Sequence, residues 1–349
     1  MIRQNPLKSL VHPIIQGPMA GGFTTPALVA GVSNAGGLGS LAGSLLAPDA
    51  LREQVTQIRA LTERPFFVNF FVQHTPSPSE AEIAAAAELL RPLWQSLGWS
   101  ALPTPAQWCQ DFDAQFDTLL ELAPAFASFT FGILERDQVA RLQAAGIVVV
   151  GTVTTVAEAL AWQDIGADAV IASGIEAGGH RGTFIGRQQD ATLGGRALWP
   201  AVVQAVDIPV IAAGAIMDGA DIGAALDAGA VAVQMGTAFL VTDEAAIHPA
   251  YKAKLLAGDA TTRLTRAISG RYARGIVNGF MEKMAGVEAQ VPAYPVQNAL
   301  TGSIRAAAAA NNDPDLMSLW AGAGVNRARA MPVAELMKTL VAELAAAKK

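Results

Sequence analysis

His180 is the residue whose type and surroundings first suggest chemistry. It lies in Ala172-Ser-Gly-Ile-Glu-Ala-Gly-Gly-His-Arg-Gly-Thr183, behind the apolar run 167–171, which reads as a short buried strand. Gly174, Gly178, Gly179 and Gly182 exclude a strand or helix interior and leave a loop whose backbone can lie flat against a large ligand. A histidine presented just past the C-terminal end of a strand stands where an α/β barrel places its chemistry. The ordinary alternative is a loop histidine bonded to a neighbouring carbonyl. Against it weighs a pair of loops further along the chain.

Those loops are Ala212-Ala-Gly-Ala-Ile-Met-Asp-Gly219 and Gln234-Met-Gly-Thr-Ala-Phe239. Each follows an apolar run and reads as opening a helix. Small residues bare the backbone N–H groups, and helix N-termini favour a dianion. Phosphate sites after strands seven and eight recur in barrels. The cradle would comprise Gly214 and Ala215 on one loop and Gln234, Met235, Gly236 and Thr237 on the other. Gly17, Pro18, Met19, Asn69, Gly178 and Gly179 would line the mouth, where amide and backbone groups suit the edge of a flat heterocycle. A sugar-phosphate enzyme would want a lysine or paired carboxylates there, and the only carboxylate beside His180 is Glu176. The chemistry therefore looks borrowed from a flavin, and a single phosphate cradle suits FMN.

The elements that must position these residues follow a regular rhythm. Apolar runs at 13–18, 38–42, 66–71, 127–131, 147–150, 168–172, 209–213 and 231–234 read as strands separated by helices. Eight such units predict an α/β fold, a (β/α)8 TIM barrel with an inserted, mainly helical cap; an open doubly wound sheet is the alternative. No Gly-x-Gly-x-x-Gly opens the first strand–helix turn, which argues against a dinucleotide fold. The rhythm divides the chain into 1–75 and 125–240 as barrel, 76–124 as a helical insertion, 241–325 as a helical cap, and 326–349 as a C-terminal helix packing back on the barrel.

Composition sets bounds. The chain has 349 residues, 52% hydrophobic and 15% charged, with a net charge of −6 and no long basic run, so nucleic acid is not an expected partner. Prolines and polar residues interrupt the uncharged stretch 9–48, so it is not read as a membrane span. The first six residues lead into no apolar stretch of the kind a secretory leader needs, and Lys348-Lys349 reads as a solvated tail. One cysteine, Cys109, excludes an internal disulfide and fits a cytoplasmic location. No paired-cysteine or His-Glu-x-x-His pattern implies a metal.

Gln16-Gly-Pro-Met-Ala-Gly-Gly22, Ser33-Asn-Ala-Gly-Gly-Leu-Gly39, Ala177-Gly-Gly-His-Arg-Gly182, Ser269-Gly-Arg-Tyr-Ala-Arg-Gly-Ile-Val-Asn278 and Leu319-Trp-Ala-Gly-Ala-Gly324 together resemble class I nitronate monooxygenases, once called 2-nitropropane dioxygenases. The resemblance covers nearly the whole chain. It implies a barrel holding non-covalent FMN without a metal. It implies oxidation of alkyl nitronates, propionate 3-nitronate above all, by O2 to a carbonyl compound and nitrite, in a monomer or homodimer. His180 would be the active-site histidine, with Asn69, Gly178 and Gln234 to Thr237 holding FMN. The glycine–histidine and phosphate loops are shared with NAD(P)H-dependent flavin reductases of quinones or enoyl thioesters, which are the alternative; a non-catalytic flavin binder is a further one. Many relatives carry a second glycine where Ala215 stands, and alanine keeps its N–H available provided φ is negative there.

Arg271 and Arg274 are three apart, which would put them near one face of a helix, as an anion clamp for substrate or as a salt-bridged surface. Tyr294 and Tyr272 would close the mouth or sit in the core. His74 is a second candidate for the site, and His12 and His248 read as structural. Trp94, Trp99 and Trp108 read as packing of the cap.

Overall fold

The computed structural model describes Leu7 and residues 10–347; the first six residues and Lys348-Lys349, discussed above, lie outside the described residues. In chain order the strands are β1 (Ile14–Gln16), β2 (Gly39–Ala42), β3 (Phe66–Phe71), β4 (Phe126–Thr130), β5 (Val148–Val153), β6 (Ala169–Ser173), β7 (Gly179–His180), β8 (Val210–Ala213), β9 (Ala232–Met235), β10 (Thr262–Thr265) and β11 (Ala273–Ile276). All but β7, β10 and β11 form one parallel sheet of eight strands, ordered β1-β9-β8-β6-β5-β4-β3-β2. Its two edges meet: Leu38 N donates to Ile14 O and Gln16 N to Leu38 O, both at 3.0 Å. The sheet is a (β/α)8 barrel.

Strand periodicity splits its side chains between two cores. Ile15, Phe67, Phe126, Val150, Ile171 and Ile211 fill one cluster. Their neighbours Ile14, Val68, Ala127, Val149, Val170 and Val210 pack in another with the surrounding helices. The helices start where local chemistry says they should. Thr25 caps Pro26–Asn34, with Pro in the first turn. Ser79 and Glu82 form a capping box on Glu80–Leu89. Helix Val333–Ala347 returns to pack on Gly219–Asp227 and Pro26–Asn34.

The insertion is shorter than its expected limits, 76–124. Helix Phe112–Leu122 belongs with the barrel: Phe116 and Leu119 join the barrel–helix core, and the Gln115 side chain donates to the carbonyls of Gly43, Ser44 and Leu46. Helices Glu80–Leu89 and Arg91–Ser96 instead share a separate apolar cluster with residues between Leu240 and Val325. Trp94 is in that cluster, and Trp99 and Trp108 pack against it. Among the described residues no helix is long and apolar enough to cross a membrane.

Candidate active site

A cavity of about 440 Å³ opens at the C-terminal ends of the barrel strands, within the usual size for a small-molecule site. Every position expected above to hold the cofactor lines it: Gly17, Pro18 and Met19 after β1, Asn69 on β3, and Gly178 and Gly179 after β6. So do Gly214 and Ala215 after β8, and Gln234, Met235, Gly236 and Thr237 at the end of β9.

The amides of Gly214, Ala215, Gly236 and Thr237 donate to no group among the described residues. Unpaired backbone N–H groups are rare, so a cluster on one cavity wall is a ready anion site. None of its donors is at an α-helix end, contrary to expectation. The loop after β9 enters only a short 3-10 turn, Thr237–Phe239. The helix after β8 starts at Gly219, where Asp218 accepts from Asp221 N and Glu343 from Gly219 N. Two carboxylates already occupy that terminus. The proviso on Ala215 also fails: its φ is +53°, the left-handed region, beside Gly214 at +117°. Arg327 donates to the Ala215 carbonyl at 3.0 Å and Arg329 to that of Met217 at 3.1 Å. These two clamps hold the loop in its strained form.

Asn69 solves its own burial by donating Nδ2 to Ser128 Oγ and O at 3.0 and 3.2 Å. Its Oδ1 has no donor among the described residues, so an acceptor is left for a ligand.

His180 lines the same cavity. The two-residue strand β7 pairs antiparallel with β11, setting His180 opposite Ala273 and Gly179 opposite Arg274. The imidazole is enclosed by Trp320, Phe131, Tyr294 and Phe71, with ring centroids 5.3, 5.5, 5.7 and 6.2 Å away. Its Nε2 lies 2.9 Å from Ser269 Oγ. Burial among these rings, then the positive charges of Arg271 and Arg305, pull the His180 pKa down to about 3. The ring is therefore neutral at physiological pH.

Arg271 and Arg274 do not line the cavity, and their segment is a bend and a strand, not a helix. Arg271 Nε donates to Arg181 O at 2.8 Å, Nη2 donates to Thr183 O, and the guanidinium lies 4.2 Å over the Phe131 ring. Arg274 Nε donates to Ile175 O at 3.0 Å. Both arginines brace the His180 loop from behind, and this placement gives no support to the expected substrate clamp. Tyr294 does line the cavity, and burial pushes its phenol pKa up. His74 is exposed and off the cavity wall. His248 caps helix Pro249–Leu256 through Nδ1 and also reaches the cavity. Glu176 turns away to accept from Gly195 N at 2.9 Å.

Sequence reasoning missed the cation that the cavity does contain, Arg305. Its Nη2 donates to Asn298 O and Oδ1 at 2.8 and 3.1 Å, while Nε is buried without a partner. Burial pulls its pKa down to about 10, which leaves it charged at neutral pH. The available signal was one charge in an otherwise small and apolar helix, Gly302–Ala310. Among the described residues no three His, Cys, Asp or Glu side chains gather as a metal site.

The nitronate monooxygenase family matches residues 4–343. The chain belongs to that family. A nitronate monooxygenase of Pseudomonas aeruginosa is 43% identical over 97% of each chain. A nitroalkane oxidase from Streptomyces ansochromogenes superposes with a TM-score of 0.91, at 42% identity over 99% of each chain. FabK from Thermotoga maritima shares the fold with a TM-score of 0.75, at 30% identity over 97% of this chain and 94% of its own. As a family member the protein is an oxidoreductase of a flavin-dependent group.

Proposed function

We propose that the protein is an FMN-dependent nitronate monooxygenase, acting on alkyl nitronates and O2 to give a carbonyl compound and nitrite. The observation that carries this reading is a histidine, set among aromatic rings, on the wall of a cavity that also presents four unpaired loop amides. The amides of Gly214, Ala215, Gly236 and Thr237 fit a phosphate, and Asn69 Oδ1 and the Gln234 side chain fit the edge of an isoalloxazine ring. A bound flavin supplies the electron acceptor that no protein side chain here provides.

The chain's own residues handle the substrate. The guanidinium of Arg305 draws an anion into the cavity, and its Nη1, which bonds no group among the described residues and is not sealed from the cavity as Nε is, suits a carboxylate such as that of propionate 3-nitronate. Neutral His180 accepts a hydrogen bond from a substrate group without repelling Arg305, and when it takes a proton from a neutral nitroalkane the nitronate anion formed beside it offsets the new positive charge. The aromatic walls exclude water around it. A cytoplasmic setting fits the single cysteine.

The test is anaerobic mixing of the purified, FMN-loaded protein with propionate 3-nitronate while the flavin absorbance is followed. Bleaching supports the reading, and an unchanged spectrum overturns it. The likeness to FabK favours one second reading, an NAD(P)H-dependent flavin reductase. The same mix with NADH decides between them.

A further inference from the structure

The hydroxyl of Ser269 makes three contacts in the folded chain. It donates to Arg271 O at 3.1 Å, it receives Arg271 N–H at 3.4 Å, and it lies 2.9 Å from His180 Nε2. A serine hydroxyl has one proton and two lone pairs. Once the proton points at the Arg271 carbonyl and one lone pair takes the Arg271 amide, a single lone pair remains. Nε2 can then only donate.

The opposite arrangement turns the serine proton towards an unprotonated Nε2. That leaves the Arg271 carbonyl with no donor among the described residues. Ser269 has no exposed surface, so no water takes up its second lone pair, and this arrangement makes two hydrogen bonds at the hydroxyl where the first makes three. We propose that Ser269 is a positioning residue that fixes His180 as the Nε2–H tautomer and so leaves the Nδ1 lone pair for substrate.

No protein group among the described residues bonds Nδ1, and it is not among the sealed, unpaired polar atoms, so it keeps access to the cavity space. The arrangement also survives a proton transfer. When Nδ1 takes a proton from the α-carbon of a neutral nitroalkane, the C–H electron pair stays with the nitronate. The imidazolium keeps Nε2–H on Ser269 throughout. The ring need not turn between its two charge states. Arg271 serves both ends of this device: its backbone occupies Ser269, and its side chain holds the carbonyls of Arg181 and Thr183.

The tautomer follows from hydrogen-bond counting alone, whereas the use of Nδ1 as a base rests on the function proposed above. The experiment separates the two. Holoenzyme labelled with 15N-histidine is compared with its His180→Gln variant, which identifies the His180 signals among four histidines. The expected spectrum shows a protonated Nε2 and an unprotonated Nδ1 at neutral pH. A protonated Nδ1 in the wild type overturns the proposal, without needing any variant. In Ser269→Ala the two signals should move towards the mean of mixed tautomers, and unchanged signals overturn the assignment. With FMN occupancy retained, kcat/KM on a neutral nitroalkane should fall about 10- to 100-fold, the scale of removing a group that orients a functional histidine. The loss on preformed nitronate should be smaller. Equal losses on both, or none, overturn the positioning role. An enzyme inactive on every nitro compound sinks the functional reading, and the wild-type spectrum still judges the tautomer.

Discussion

His180 and Trp320 stand with ring centroids 5.3 Å apart, one on the loop after β6 and the other in the C-terminal third of the chain. The link between them is β11. One side of it pairs with Gly179-His180, and Gly275 bridges to Trp320 while Ala321 N donates to Arg274 O at 3.2 Å. The histidine wall of the cavity is thus built by strand pairing outside the barrel, and the barrel loops supply the amide-rich part of the lining.

That construction needs Gly178. A Cβ there would lie 2.4 Å from Gly322 N and 2.6 Å from Ala321 C, both backbone atoms that cannot swing aside. Gly178→Ala should push the His180 loop off the Trp320 segment. The expected cost is about 1–3 kcal/mol of stability, with a loss of kcat/KM. Gly179→Ala meets nothing within 4 Å, and its penalty is confined to φ of +76°. Thermal unfolding of both variants checks the difference; a Gly178→Ala protein as stable and active as wild type would show that the segments separate freely.

Ala215 carries a strain that its sequence neighbours do not reveal. A left-handed L-residue costs about 1–2 kcal/mol, partly offset because glycine loses more entropy on folding. Ala215→Gly should therefore raise Tm slightly, and Ala215→Val should lower it by more, since a β-branched residue tolerates φ of +53° poorly. Differential scanning calorimetry of the flavin-free proteins reads both; a Tm that falls in Ala215→Gly contradicts the strain.

The barrel was legible because its signals are local. Strand periods and glycine loops at strand ends each act over a few residues. The positions that line the cavity were legible for the same reason, since in a barrel they sit next to those strand ends. What escaped was long-range. Pairing between β7 and β11 has no short-range signature, so the spacing of Arg271 and Arg274 suggested a helix where a strand forms. Helix Phe112–Leu122 was hidden behind a proline- and tryptophan-containing run. Arg305 arrives from a helix far along the chain, and only the fold shows that it shares a cavity with His180.

Acid should expose the depressed pKa of His180. In the unfolded chain this ring takes a proton near its ordinary pKa of about 6.5; in the folded protein it does so only near 3. Between those values the unfolded state binds the extra proton, so His180 lowers stability as pH falls through that window and has no effect above it. The drop in Tm from about pH 7.5 to about pH 4.5 should accordingly be smaller in His180→Gln than in wild type. Equal drops would mean that the folded ring charges as readily as a free one. His180→Ala should also retain FMN and lose turnover by about 10²- to 10⁴-fold on a neutral nitroalkane.

Gly236 offers the cleanest test of the anion site. Its φ is −100°, which any L-residue adopts, and a Cβ there meets nothing within 4 Å. A side chain can therefore be added without moving the backbone, so a change in ligand binding will not be a change in folding. Gly236→Asp places a carboxylate on the wall that carries the unpaired amides of Gly214, Ala215 and Thr237. Those amides can donate to it, which should leave the flavin-free protein as stable as wild type or more so. The same carboxylate takes the place of a phosphate and repels it. FMN affinity should fall by about 100-fold or more, roughly 2.7 kcal/mol. Gly236→Ser adds similar bulk without charge and should lose less. Flavin fluorescence titrations of the three proteins, alongside their Tm values, separate charge from volume. Unchanged FMN binding in Gly236→Asp would place the phosphate away from these loops and would require a different cofactor orientation in the cavity.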